Sequence, residues 1–351
     1  MAPIHKIIED KLQTHPYVYY VIRSLRRLAK RDINYINFAI ADYSNPKRIS
    51  LQSFGEENVG KILYCIREQG MGYGFFAEFR ALLCNLIFAE EMGFVPNVYW
   101  GKKHLYFDQD VSYTDNVFEY YFEPVKMENL YQSKNVFFSS DLQNVYIEKE
   151  YSVNGYSSSD NFERKLIQMI KQYIHIRPDL LKEFQIETET ILCDGRILGI
   201  HHRGTDYKKG YKGHPKMMQI EQGIAQAEKI LKEYEIDNIF LATDDDEILE
   251  SYKKAFGIRV RYFSDVLRGT SDVSVAFSQE NRKYHHYILG REVLRDVYVL
   301  SKCTCLLSGK SQVSYFANIF NQCGDNRYLK WELIDNGINE TGQYFSGNRK
   351  S

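Results

Sequence analysis

Strand and helix patterns alternate through the second half of the chain, and this alternation constrains the fold more than any other feature. Apolar runs typical of buried strands occur at Arg196–His202, Asn238–Thr243 and Thr304–Gly309, and Arg259–Ser264 alternates as a strand does. Each run is followed by a stretch with helical character: His214–Tyr234, Asp246–Gly257, Gly290–Cys303 and Ser311–Phe320. Repeated strand-helix units predict a parallel sheet wrapped by helices.

Polar clusters follow three of these strands. They read "HHRGTD" (201–206), "TDDD" (243–246) and "SGKS" (308–311). In open parallel sheets, ligands bind outside the carboxyl ends of the strands. The three clusters therefore predict a single crevice at one edge of the sheet.

The length of 351 residues is typical of two domains rather than one. In the first half, a helix is predicted at Ala77–Met92 after the glycines of "GMGYG", and another at Phe162–Ile176. The serine-rich segment Ser152–Asn161 between them has the composition of a loop.

Charge and cysteine content exclude several classes of function. Lys and Arg number 45 against 46 Asp and Glu, so no global positive field attracts nucleic acid. The six cysteines have no paired C-x-x-C spacing, which argues against a zinc site or a disulfide framework. Free thiols are typical of a cytoplasmic protein.

The chain has neither a membrane-span pattern nor a leader pattern. No apolar run approaches the roughly 18 residues that a spanning helix needs, and "MAPIHKIIEDKLQTHPY" lacks a basic head followed by an apolar core. Val21–Arg31 has the pattern of a basic amphipathic helix, which favours a solvated surface helix and leaves open a peripheral contact with the inner membrane.

Arg203 is the first candidate for anion binding, because a guanidinium at a strand end can hold a phosphate through two parallel hydrogen bonds. The alternative is a salt bridge to a nearby aspartate. His201 and His202 are neighbours on a strand, so they point to opposite faces and only one can face the crevice.

The aspartates of "ATDDD" (242–246) have two interpretations. They resemble the Asp-x-Asp element with which many glycosyltransferases bind a metal, but capping of the next helix by Thr243 or an aspartate is favoured. In "SGKSQ" (308–312), the glycine of a full phosphate-binding loop is missing, since Thr304 stands there. A strand end followed by a helix N-terminus still suits a phosphate.

The segments "GIHHRGTD", "IFLATDDDEILESYKKAFG" and "RDVYVLSKCTCLLSGKSQVSYFANIF" resemble, in this order, the three conserved regions of the α1,6-fucosyltransferase superfamily. Protein O-fucosyltransferases are more distant members. The resemblance covers about 196–320 and implies a GT-B architecture, with two Rossmann-like domains facing across a cleft. It also implies inverting transfer of L-fucose from GDP-fucose to a glycan acceptor, without a divalent metal. The soluble, disulfide-free character of the sequence favours polysaccharide biosynthesis as the setting.

This resemblance implies a division into an N-terminal acceptor-side domain (1–190), a C-terminal Rossmann-like domain that binds the nucleotide sugar (191–322) and a tail that packs back across the domains (323–351). Roles carried over by motif are as follows: His201 and Asp296 contact guanine, Arg203 holds the β-phosphate, Asp244 and Asp245 support the nucleotide loops, and Ser308 and Ser311 contact phosphate.

The sequence departs from the family at two points. Gly204 replaces a second arginine, for which Lys208, Lys209 or Lys310 can substitute. The acid expected between the "TD" and "HP" elements is absent, so Asp206 is the first candidate for the catalytic base and Glu78 the second. The alternatives are another nucleotide-sugar donor on the same fold, an α1,2-fucosyltransferase, and a non-catalytic sugar- or nucleotide-binding module.

Overall fold

The computed structural model describes residues 51–69, 73–125, 128–193, 195–269, 274–278 and 282–343, together with Leu25 and Ala29. The basic helix predicted at Val21–Arg31 lies outside the described residues except for those two positions, which are helical. Among the described helices, none combines the length and the apolar character that crossing a bilayer requires.

The first part of the chain forms a small parallel sheet covered by helices. Its elements, in chain order, are β1 (Leu63–Arg67), α1 (Phe75–Met92), β2 (Val95–Tyr99), β3 (Val136–Phe138), α2 (Asp141–Glu150), α3 (Asp160–Tyr173) and α4 (Pro178–Ile191). The central strand β1 pairs in parallel with both β2 and β3. The helix α1 is buried over most of its length, so it forms the centre of this part.

The second part is built on a five-stranded parallel sheet. Its elements are β4 (Ile197–His202), α5 (Ile220–Glu233), β5 (Asn238–Thr243), α6 (Asp246–Phe256), β6 (Val260–Arg261), α7 (His285–Leu300), β7 (Cys305–Gly309), α8 (Gln312–Cys323) and β8 (Lys330–Ile334). The strand order is β6-β5-β4-β7-β8. The order reverses between β4 and β7, which makes this pair the topological switch point of the sheet.

Both faces of the second sheet are covered, because successive residues of its strands enter two different cores. Leu198 and Ile200 of β4 pack with α5 and α6, whereas Ile197 joins the core that extends into the first part. Every residue of β4 is buried. A strand buried on both faces reads as a continuous apolar run, which is why the sequence pattern predicted it.

The two parts of the chain share a core. Phe76 and Phe79 of α1 contact Phe316 of α8, with ring centroids 5.4 and 5.1 Å apart. At the other end of the junction, Asp108 Oδ2 accepts hydrogen bonds from the backbone of His286 (2.9 Å) and Tyr287 (3.2 Å) in the first turn of α7. The first part thus supplies the cap for a helix of the second part.

The predicted fold class is confirmed: two α/β parts, each with a parallel sheet, face each other across a cleft. The helix predicted at His214–Tyr234 begins only at Ile220, after Pro215 and a Gln219–Gln222 capping box. The strand predicted at Arg259–Ser264 is reduced to Val260–Arg261. The fifth strand, β8, was not predicted from the sequence.

Candidate active site

The cleft contains a cavity of about 650 Å³ at the carboxyl ends of the strands. Such a volume suits a drug-sized or nucleotide-sized ligand. The first part contributes residues of α1 and α2, and the second part contributes the segments after β4 and β5 together with α7 and the start of α8. The predicted crevice is therefore present, and it lies at the switch point between β4 and β7.

The two strand histidines face opposite sides, as their adjacent positions predicted. His201 lines the cavity, and its Nδ1 lies 3.2 Å from Ser311 Oγ. Burial and the nearby Arg203 guanidinium lower the pKa of His201 to about 3. This imidazole is therefore neutral at physiological pH. His202 instead contacts Tyr252 and the carbonyl of Met218, on the face away from the cavity.

Arg203 lies between two carboxylates in the cavity wall. Its Nη2 is 2.8 Å from Asp206 Oδ1, and its Nη1 is 2.7 Å from Asp244 Oδ2. Its Nη2 also donates a hydrogen bond to Ser274 Oγ at 3.1 Å. Burial would lower the pKa of Arg203, but Asp206 and Asp244 outweigh this and raise it. The salt bridge considered in the sequence is present, and all three charged groups line the cavity.

Asp244 anchors the turn after β4. It accepts hydrogen bonds from the Gly204 backbone (2.8 Å) and from Thr205 Oγ1 (2.7 Å). Burial alone would raise the pKa of Asp244, but Arg203 and these hydrogen bonds lower it, so the group stays ionised. Asp244 therefore fixes both the backbone turn and the guanidinium that extends from it.

Asp245 is fully buried and has a structural role. Its Oδ1 accepts hydrogen bonds from the backbone of Glu247 (3.0 Å) and Ile248 (3.3 Å), so it caps α6. The favoured interpretation of the aspartate cluster, a helix cap, is thus what the structure has at this position. Lys208 Nζ lies 2.7 Å from Asp245 Oδ2, outside the cavity lining.

Asp296 projects from α7 into the cavity wall. Among the described residues, none donates a hydrogen bond to its carboxylate, although Arg295 and Arg268 lie near enough to act on it electrostatically. Burial raises the pKa of Asp296 to about 7. Glu292, one turn earlier, also lines the cavity and pairs with Arg282 at 3.0 Å.

The cluster after β7 contributes only in part. Ser311 lines the cavity and caps α8 by accepting a hydrogen bond from the Ser314 backbone at 3.1 Å. Ser308 is buried, and its Oγ accepts a hydrogen bond from Trp331 Nε1 (3.2 Å) away from the cavity. Lys310 lies 2.7 Å from Asp335 and does not line the cavity. The structure therefore does not bring Ser308 and Lys310 to the site.

The two candidate bases lie in different surroundings. Asp206 lines the cavity beside Arg203. Glu78 is buried in α1, where its Oε2 accepts a hydrogen bond from the Gln69 backbone (3.0 Å), and it does not line the cavity. Of the two, only Asp206 faces the space that a substrate can occupy.

Several cavity residues were not predicted from the sequence. They are Arg80, Asn144, Glu148, Tyr156, Lys212, His214, Glu292 and Gln312. Asn144 and Glu148 lie on a short helix without a motif, so their sequence carried no signal. Lys212 and His214 belong to "YKGHP" (211–215). This segment stood out in the sequence only for the acid that is missing between the "TD" and "HP" elements.

The chain has an α/β fold whose cavity lies at a strand switch point, which is the place where open parallel sheets bind their ligands. The chain matches no protein-family model and no curated protein at a significant level. Among solved structures it is similar to the NodZ α1,6-fucosyltransferase soaked with GDP-fucose, with 16% identity, a TM-score of 0.47, and coverage of 74% of this chain and 92% of NodZ.

A second NodZ crystal structure, from Bradyrhizobium, gives 15% identity and a TM-score of 0.46 over 74% of this chain and 92% of that chain. The chain is also similar to POFUT1 in complex with GDP-fucose, with 11% identity, a TM-score of 0.45, and coverage of 80% of this chain and 99% of POFUT1. At these identities the likeness concerns the fold alone.

Proposed function

We propose that this chain is an inverting glycosyltransferase that transfers L-fucose from GDP-fucose to a hydroxyl of a glycan acceptor. The observation that carries the proposal is the grouping of His201, Arg203, Asp296 and Ser311 around one cavity at the switch point. These four residues come from the segments that resemble α1,6-fucosyltransferases. GDP-fucose is the donor that this resemblance implies.

The diphosphate would lie between Arg203 and the start of α8. Gln312 and Val313, the first residues of that helix, line the cavity. The N–H groups of a first helical turn lack intrahelical partners and attract phosphate. The Arg203 fork has five N–H donors, and its three contacts to protein oxygens leave donors for a phosphate oxygen.

The guanine ring of the donor would lie against Asp296 and His201. An ionised carboxylate only accepts hydrogen bonds, and guanine presents two adjacent N–H donor groups that match its two oxygens. Uracil offers one N–H group flanked by carbonyl oxygens, which a carboxylate repels. Asp296 therefore favours a guanine nucleotide over a uracil nucleotide, and the neutral His201 can donate or accept a further bond.

In the transfer step, the acceptor oxygen forms a bond to the anomeric carbon of fucose while the bond from that carbon to the GDP oxygen breaks. The electron pair leaves with GDP, and Arg203 stabilises the negative charge that develops on the diphosphate. Asp206 takes the proton of the acceptor hydroxyl. We propose Asp206 rather than Glu78 because only Asp206 lines the cavity.

The glycine at 204 does not favour a non-catalytic binding module. A Cβ at Gly204 would lie 2.4 Å from the Cβ of Asp245, so any side chain there would displace the cap of α6. The second arginine of the family is thus incompatible with this local packing. Lys212 lies in the cavity wall and is the cation that we propose in its place, rather than Lys208, Lys209 or Lys310.

Calorimetry with GDP, GDP-fucose, GDP-mannose and UDP-sugars tests the donor. We expect GDP and GDP-fucose to bind and UDP-sugars to bind at least tenfold more weakly, since one or two charge-assisted hydrogen bonds are lost. The variant Arg203→Lys should weaken GDP-fucose binding. The matched control Arg196→Lys, at the exposed amino end of β4, should not. Tighter binding of a UDP-sugar would overturn the donor assignment.

The acceptor and the setting of the reaction are further parts of the proposal. The free thiols and near-neutral charge of the sequence agree with a cytoplasmic protein acting in polysaccharide biosynthesis, at the inner membrane face or away from it. Fractionation of cells that express the full chain distinguishes these two locations.

A further inference from the structure

One polar recess of the cavity wall is formed mainly by the first part of the chain. We call it the amide lobe, and define it by Asn144 and Glu148 of α2, Arg80 of α1, Gly155 and Tyr156 of the serine-rich loop, and Gln312 of α8. Of these residues, only Gln312 belongs to the three motifs that support the donor proposal, and it lies within the third.

The wall of the amide lobe is fixed by Arg80. Its Nε donates a hydrogen bond to Glu148 Oε1 at 2.9 Å. Its Nη2 donates to the carbonyls of Asn154 (2.7 Å) and Ser157 (3.2 Å), which holds the serine-rich loop against α1. Arg80 is buried, and its charge is balanced by Glu148. The amide lobe therefore has a rigid wall without net charge.

Two amide oxygens in this lobe are buried and have no hydrogen-bond donor among the described residues. They are Asn144 Oδ1 and Gln312 Oε1. Gln312 Nε2 donates to the Gly155 carbonyl, which fixes the orientation of that amide, because exchanging its O and N would set oxygen against oxygen. A buried acceptor without a partner destabilises the folded protein, so each of these oxygens favours a ligand that brings a hydrogen-bond donor.

The contacts connect the two oxygens through one continuous surface. Asn144 lies one turn before Glu148 on α2, Glu148 contacts Arg80, and Arg80 holds the loop whose Gly155 carbonyl contacts Gln312. Tyr156 follows Gly155, and its ring forms part of the same wall. Tyr156 also lies close enough to Asp206 and Arg203 for their charges to affect its phenol.

We propose that the amide lobe is the acceptor subsite and that it binds a neutral sugar ring. Sugar hydroxyls would donate hydrogen bonds to Asn144 Oδ1 and Gln312 Oε1. Tyr156 has a flat apolar ring against which the apolar face of a sugar can pack. Burial raises the pKa of Tyr156 to about 12, so its hydroxyl stays protonated and can also donate.

A neutral ring is favoured over an acidic one because the cation in this lobe is already balanced. A uronic acid or a phosphorylated sugar would need Arg80, whose contacts to Glu148 and two carbonyls hold the loop in place. A ring bound against Tyr156 would lie beside Asp206, the base that we propose for its hydroxyl. The acceptor assignment rests on the proposed transferase function, but the recess and its orphan oxygens do not depend on GDP-fucose.

Saturation-transfer NMR on the full chain tests the subsite directly. The probes are the methyl glycosides of β-D-glucose, β-D-galactose, α-D-mannose and N-acetyl-β-D-glucosamine, with methyl β-D-glucuronide as the acidic probe, each with and without GDP. We expect at least one neutral probe to bind and the glucuronide to bind more weakly. Titration of the strongest neutral probe gives its Kd.

The variant Asn144→Leu removes one orphan oxygen at similar side-chain size. We expect it to raise the Kd of the strongest neutral probe roughly 3- to 10-fold, as the loss of one hydrogen bond predicts. The Kd for GDP should stay unchanged. The matched control is Asn161→Leu, an exposed asparagine on α3 that does not line the cavity, and it should leave both constants unchanged.

The outcomes separate the two proposals. If a neutral probe binds with the expected response to Asn144→Leu but GDP does not bind, the subsite stands and the donor assignment falls. If no neutral probe binds, if the glucuronide binds more tightly, or if Asn144→Leu leaves the neutral probe unaffected, the subsite is overturned whether or not GDP binds. Asn144→Asp is the second variant: it keeps an acceptor oxygen at the same position, so probe binding should survive, and loss of probe binding in a variant that still binds GDP would overturn the role of this oxygen.

Discussion

Replacing Asp296 with asparagine removes one charge from the wall of the cavity while keeping the size of the side chain. Asp296 lies on α7, lines the cavity and has its pKa raised by burial from a usual value of 3.8 to about 7. Arg295 and Arg268 act in the opposite direction without compensating. The carboxylate that we propose to bind guanine is thus destabilising before the ligand arrives.

The sign of the effect on stability follows from proton binding. The folded protein binds the Asp296 proton more tightly than the unfolded chain does. The contribution of Asp296 to the free energy of unfolding therefore falls as pH rises from about 4 to about 7, and it is constant at higher pH. The pKa of Asp296 is raised by about three pH units, so above pH 7 the ionised carboxylate lowers the free energy of unfolding by about 4 kcal/mol. Part of the residue is exposed to the cavity, so water lowers this cost and about 4 kcal/mol is an upper limit.

Urea unfolding at pH 5 and pH 8, followed by tryptophan fluorescence, measures this effect. We expect Asp296→Asn to be more stable than the parent protein at pH 8, with a gain that falls to less than half at pH 5. The matched control is Asp325→Asn, on an exposed turn, which should show no such difference. An Asp296→Asn variant that gains no stability at pH 8 would refute the claim that this carboxylate is held ionised at a cost.

The same variant should lose donor affinity while it gains stability. An amide presents one acceptor oxygen, so the pairing with guanine fails and KM for GDP-fucose should rise roughly 10- to 100-fold. For the parent protein, kcat/KM should fall as pH drops below about 7, because protonated Asp296 loses an acceptor. Initial rates across pH 5.5–8.5 would show this fall in the parent and none in the variant. A parent profile that stays flat would contradict the guanine contact.

Four further results are expected. Arg203→Lys keeps the charge beside Asp206 and Asp244 but loses the planar fork, so kcat should fall about 100-fold or more in a fucosyl-transfer assay; near-normal turnover would remove the phosphate role. Asp206→Asn should lower kcat by about 10²- to 10⁴-fold with little change in the calorimetric Kd for GDP. An unchanged kcat would show that Asp206 is not the catalytic base. Transfer should persist in EDTA, whereas loss on chelation with recovery on adding manganese would favour a metal-dependent reaction. Asp108→Ala leaves two N–H groups of α7 uncapped and should reduce the free energy of unfolding by about 1–2 kcal/mol in urea, and a change under 0.5 kcal/mol would argue that water replaces the cap.

The parallel sheet of the second part was predictable because its central strands β4, β5 and β7 are almost completely buried. Asn238–Thr243 was predicted with the bounds that the structure has, since a short apolar run ended by "DDD" permits little else. The strand β8 was missed because it lies at the sheet edge, where its "KWELI" residues are exposed or half-buried and carry no apolar run. Its place depends on pairing with β7, which local sequence does not encode.

The site was predictable where a residue's role depends on its own strand, and not where it depends on distant packing. Arg203 and His201 follow from their position at the end of β4. Ser308 and Lys310 were also predicted at a strand end, but neither lines the cavity. Ser308 accepts a hydrogen bond from Trp331, and Lys310 forms an ion pair with Asp335. Both partners belong to β8 and the turn after it, which were not predicted. Asn144 reaches the cavity only because α2 packs against α1, a contact between segments far apart in sequence.

The phenylalanine junction between α1 and α8 has a consequence for how this protein can be divided. Cutting the chain near Cys193 would leave Phe76 and Phe79 on one fragment and Phe316 on the other. The rings that are buried in the intact protein would then be exposed to water. Neither fragment would then be a self-sufficient folding unit, and co-expressed halves should find each other before either becomes soluble alone. A hinge motion that opens the cleft would expose this shared core, so we expect substrates to enter while the two parts remain in contact.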